Sequence, residues 1–142
     1  MENSNNGYML LFRGKDWDDQ VASEDIQAVL DRFMAWSDGL VKGGKVKGGQ
    51  PLARTGVVLG RGGRAVADGP FAETKEAVGG YMILDVETME EATAIAKTSP
   101  GLDFGVIIEV RPVLEDCPCF ARLRERLEIR DRLENRAEKQ AA

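Results

Sequence analysis

Histidine is absent from the 142 residues. That removes the usual general base, a frequent metal ligand and every Ser-His or Cys-His nucleophile pair. Cysteine occurs only at Cys117 and Cys119, with Pro118 between them. Positions this close seldom reach disulfide geometry, and two thiolates fall short of the four ligands of a structural zinc site. They read as reduced thiols, and neither a metal nor a cofactor is expected. Positive charge is also scarce, with 19 basic against 24 acidic residues and a net charge of −5. Phosphate backbones and anionic lipid are therefore repelled at long range, and no nucleic-acid partner is expected. Long hydrophobic runs are missing too: Tyr81-Met82-Ile83-Leu84 and Val106-Ile107-Ile108 are far shorter than a membrane span. The polar start Met1-Glu2-Asn3-Ser4-Asn5-Asn6 is unlike a signal peptide, so a soluble, cytoplasmic protein is expected.

What is present suffices for one hydrophobic core, since 43% of the residues are apolar and the length suits a single domain. Tyr8-Met9-Leu10-Leu11-Phe12 reads as a buried strand. From a Ser23 N-cap, Ile26, Val29, Leu30, Phe33 and Met34 recur at helical spacing towards a stop at Gly39. Lys42 to Gly49 is glycine-rich but lacks a phosphate-loop ending, so it reads as a flexible loop. Thr55–Leu59 and Arg64–Ala67 flank a glycine turn as a hairpin, and Gly80–Val86 is a further buried strand. Thr88-Met89-Glu90-Glu91 has capping-box form and opens a second helix with Met89, Ala92, Ile95 and Ala96 on one face. Val106–Val110 is the last strand. Beyond it, Phe120, Leu123, Leu127 and Leu133 mark a partial apolar stripe in a charged helix. That helix is either a solvated end or a partner-binding brace.

The order predicts an α+β fold with two helices on one face of an antiparallel sheet. The other face lacks cover, so a homodimer is expected. The predicted layout is a disordered 1–6, a domain over 7–114 and a charged C-terminal helix or tail over 115–142.

The densest stretch is Asp68-Gly69-Pro70-Phe71-Ala72-Glu73-Thr74-Lys75-Glu76, followed by Gly79-Gly80-Tyr81. It combines turn residues, carboxylates, a lysine and an apolar plug. Together with Tyr8-Met9-Leu10-Leu11, Gly49-Gln50-Pro51-Leu52 and Glu109-Val110-Arg111-Pro112-Val113, it resembles the signature of the DGPF branch of the YCII-related proteins, over about residues 7 to 113. The resemblance implies a ferredoxin-like fold that pairs as a dimeric α+β barrel. Some members carry a histidine and an aspartate proposed as a catalytic pair, and this chain has no histidine for that role. Many members neighbour or are fused to extracytoplasmic-function sigma factors, which implies a possible protein partner in transcription regulation.

Within the motif, Asp68 either caps its own turn or serves as a general base or ligand acceptor at a cleft. Lys75 either pairs with a neighbouring carboxylate or neutralises an anionic substrate. Glu73 and Glu76 stand three apart, and Thr74 can cap that turn. Phe71 anchors the loop, while Gly69, Pro70, Gly80 and Tyr81 complete a candidate ligand-binding set beside the catalytic candidates Asp68 and Lys75. Arg64 and Arg111 are the basic groups placed to face Asp68 or Glu109. Two functions follow: a small-molecule-binding domain with a cleft at a dimer interface, with or without weak acid-base activity, or a non-catalytic dimeric regulator acting through a protein partner.

Overall fold

The first strand of the chain becomes the second-from-edge strand of its sheet, which fixes the topology. A computed structural model describes residues 6–14, 16–68 and 78–141, with only the main chain of Ala67 and Asp68. β1 (Tyr8–Arg13) lies between β5 (Val78–Leu84) and β6 (Ile107–Pro112), and β2 (Val46–Pro51) adds to the far side of β5. All three pairings are antiparallel, giving the order β2-β5-β1-β6. Helix α1 (Ile26–Lys42) connects β1 to β2, and α2 (Met89–Lys97) connects β5 to β6. The α+β architecture with an antiparallel sheet is as expected.

Alternation along β1 sorts the side chains. Tyr8, Leu10 and Phe12 share one face with Leu84, Met82, Ile108 and Val110, and there they meet Val86, Ala92, Ala96 and Trp36 in a single core. Tyr8, Leu10 and Leu84 are sealed from solvent. Met9, Leu11, Tyr81, Ile83 and Ile107 fall by register on the opposite face. There Arg13 reaches Glu109 at 3.6 Å. Arg111, expected as a partner of Glu109, stands instead beside Met9 in the register, and Arg64 lies exposed at the hairpin turn.

Three local expectations change. Lys42–Gly49 is not all loop, because Val46 to Gly49 open β2, where pairing to β5 overrides the poor strand propensity of glycine. Ser23 starts a 3-10 turn, and α1 proper begins at Ile26. Gly39 is inside α1, which runs on to a cap at Gly43. The face of α1 also differs: Val29 is buried and Phe33 and Trp36 are half-buried, whereas Ile26, Leu30 and Met34 are exposed.

The second helix starts as its capping signal requires, with Thr88 Oγ1 accepting from the Glu91 N–H at 3.2 Å. The reciprocal half of the box does not form, since the Glu91 carboxylate takes a 2.8 Å bond from Lys45 Nζ. β3 (Val57–Leu59) and β4 (Ala65–Asp68) make a separate two-stranded ribbon. α3 (Pro118–Ala141) closes the described chain with every residue exposed.

Candidate functional site

A cleft of about 610 Å³ opens between α1 and the β2–β5 side of the sheet. Its walls come from residues that are far apart in sequence: Phe12 from β1, Phe33 and Trp36 from α1, and Met82 from β5. Its floor is made by absence. Gly80 and Gly49 occupy the same sheet face as Phe12 and Met82, with Phe12 opposite Gly80 and Met82 opposite Gly49. A Cβ on Gly49 would stand 2.6 Å from the Tyr81 carbonyl oxygen and 2.9 Å from the Met82 Cα, so only glycine fits that register.

The aromatic walls are held in place. Phe12 and Trp36 meet edge to face at 6.3 Å and 89°. Trp36 Nε1 donates to Thr98 Oγ1 at 2.7 Å, and that hydroxyl donates in turn to the Ile95 carbonyl at 2.6 Å. The indole is thereby tied to the end of α2. Phe33 stacks obliquely with Trp17 at 5.2 Å, and Trp17 meets Phe104 at 6.2 Å. An adjoining hollow of about 180 Å³ shares Phe12, Phe33, Gly79 and Ser99 with the cleft.

Polar side chains lining the cleft are few. Ser37, Lys47 and Ser99 contribute side chains, whereas Gln50, opposite Tyr81 in the register, borders the cleft with its main chain; Ser99 is buried, its Oγ accepting from the Gly101 N–H at 3.3 Å. Lys47 lies 3.9 Å from Asp85, a loose exposed pair that leaves its ammonium free to reorient. The arrangement suits a flat, largely apolar molecule with one hydrogen-bonding edge. Among the described residues no group of three or more His, Cys, Asp or Glu is gathered for a metal ion. No helix among them is long and apolar enough to cross a membrane.

Of the sequence-predicted site residues, Gly80 lines the cleft. Tyr81 borders it, although its register opposite Leu11 and Gln50 sends its ring to the other sheet face. Asp68 closes β4 opposite Val57. Its side chain, together with Gly69, Pro70, Phe71, Glu73, Thr74, Lys75 and Glu76, lies outside the described residues. Residues 1–5 of the expected disordered N-terminus do so as well. Trp36 and Ser99 were not among the candidate site residues read from the sequence. The one local signal for the first was the i, i+4, i+7 spacing of Val29, Phe33 and Trp36.

No curated protein matches the chain. The model of the YCII-related domain matches residues 8–115, which include all the walls and floor of the cleft, and the chain belongs to the YCII-related family.

Proposed function

We propose that this protein binds a small, flat, mainly apolar ligand in the cleft beneath α1. The observation that carries this is the conjunction of an aromatic wall and a glycine floor: Phe12, Phe33 and Trp36 facing Gly49 and Gly80. A core with no ligand to admit gains by filling such a gap, because unfilled apolar space forfeits dispersion contacts. Position in the chain adds support. β5 opens at Val78, two residues after the motif stretch Asp68 to Glu76, and its Gly79 and Gly80 line the cleft. Asp68 and Lys75 are its acid-base candidates, and any turnover is weak in the absence of histidine.

Both tryptophans border the cleft or its adjoining hollow, so their fluorescence reports occupancy. Titration with a panel of aromatic carboxylates and amides should find a ligand that quenches emission and raises Tm. Ser37→Trp, which fills the cleft from α1 without removing a core contact, should weaken that ligand by roughly tenfold or more. Equal affinity in the folded variant would place the ligand elsewhere. Asp68→Asn then separates roles: a lost turnover with retained binding assigns Asp68 to chemistry.

The open sheet face supports a second part of the proposal. Met9, Leu11, Tyr81, Ile83 and Ile107 make it apolar, and two ferredoxin-like halves pairing there would close a dimeric α+β barrel. In a chain stopped at Asp116, which lacks α3, Leu11→Lys should convert a dimer to a folded monomer by light scattering, and an unchanged mass would remove this face from the interface.

A further inference from the structure

Among the described elements α3 serves neither the cleft nor the four-stranded sheet. Phe120, Leu123, Leu127 and Leu133 are 60%, 51%, 49% and 60% exposed on a 24-residue helix otherwise dominated by charge. With Phe120 at heptad position a, Leu127, Glu134 and Ala141 follow at a, and Leu123, Arg130 and Ala137 fall at d. The seam is thus large in its first half, charged in the middle and small at its end.

Two such helices laid parallel would set Arg130 on the partner's Arg130, Glu134 on the partner's Glu134, and alanine on alanine. Like charges would meet and voids would open. Laid antiparallel with Arg130 opposite the partner's Glu134, the same seam becomes self-complementary. One layer out, Leu127 faces the partner's Ala137, and the next places Leu123 against the partner's Ala141. Each leucine fills the space its opposite alanine leaves, and a faces d at every layer. On the flanks, Arg124 comes beside the partner's Glu138, and Leu133 packs on the partner's Leu133. Asp131 approaches the partner's Asp131; in the single chain Arg130 lies 3.1 Å from its own Asp131 and 3.8 Å from its own Glu134, both exposed contacts, and pairing exchanges the second of them for the partner's Glu134.

We propose that α3 pairs antiparallel with α3 of a second copy, its register set by the reciprocal Arg130–Glu134 layers. Buried ion pairs add little net stability but penalise every other register, which is the use a short seam has for them. This pairing depends neither on the cleft nor on the open sheet face.

The test uses the full chain with Cys117→Ser and Cys119→Ser. Leu127→Cys is introduced in one sample and Ala137→Cys in another, one of them tagged, and the two are mixed and mildly oxidised. Antiparallel pairing yields mainly the mixed disulfide, with little crosslinked product from either variant alone. Homodisulfides at equal yield, or no crosslink in the mixture, overturn the proposal. Adding Arg130→Glu to both partners should cut the mixed product by roughly tenfold. Arg130→Glu on one partner and Glu134→Arg on the other should restore it, and a yield indifferent to these charges overturns the register.

Discussion

At the scale of single residues, backbone constraints are as informative as side chains. Gly7 sits at φ +84 immediately before β1, and a Cβ there would run into the Leu84 carbonyl oxygen. Its own carbonyl accepts from the Val113 N–H at 3.0 Å, so the segment cannot simply swing away. Gly7→Ala should cost roughly 2–3 kcal/mol, combining left-handed strain with the clash. Thermal unfolding should show Tm lowered by about 5–10 °C. A second residue-scale effect concerns Cys117, which stands just ahead of α3. The backbone N–H groups of Phe120, and then of Cys119, favour its thiolate and hold its pKa below the ordinary thiol value. Alkylation of the exposed Cys117 in a Cys119→Ser chain should therefore rise with pH at a lower midpoint in the folded chain than in the same chain unfolded in urea. Equal midpoints in the two states would contradict the effect of the backbone.

Elements show where local pattern succeeds and where it fails. α2 was legible because its start signal is local: Thr88 and Glu91 lie within one turn, and Thr88 caps as its position demands. β2 was not, because its glycines and lysines disfavour a strand until β5 arrives to pair with Val46 and Gly48–Pro51. The buried side of α1 was half legible. Apolar residues lie on two adjacent stripes, and only the sheet decides that Val29, Phe33 and Trp36 turn inward while Ile26, Leu30 and Met34 remain outside. The cleft inherits this limit: Gly80 could be picked from its neighbours, but its union with Trp36 and Gly49 exists only through topology. The junction between β2 and α2 also makes a pH prediction. The hydrogen bond and charge of Glu91 raise the Lys45 pKa above its usual value. A raised lysine pKa stabilises the fold fully below the unfolded value of about 10.4, and that contribution disappears as pH climbs through the folded value. Plots of Tm against pH for the wild type and Glu91→Gln should therefore be separated at neutral pH and converge in the alkaline range. The gap should be small, since the pair is half-exposed.

For the molecule as a whole, the division of labour runs along the chain. Residues up to Val113 build the sheet, its helical cover and the cleft, whereas α3 contributes exposed surface alone. A chain stopped at Asp116 should keep a cooperative urea transition by circular dichroism. One stopped at Gly105 should lose it, because Leu10 and Phe12 are then deprived of Val110 and Ile108. The same arrangement orders events during synthesis. β1 leaves the ribosome before the other described strands of its sheet, yet its neighbours there are β5 and β6, the last two of them to be made. Tyr8 and Leu10 must wait in solvent while most of the chain is produced, since no earlier strand can pair with β1. Such non-local closure makes folding slow compared with a helical bundle of equal size. The nascent chain is consequently exposed at its N-terminal strand, and chaperone binding or misassembly during translation should concentrate on Tyr8–Phe12.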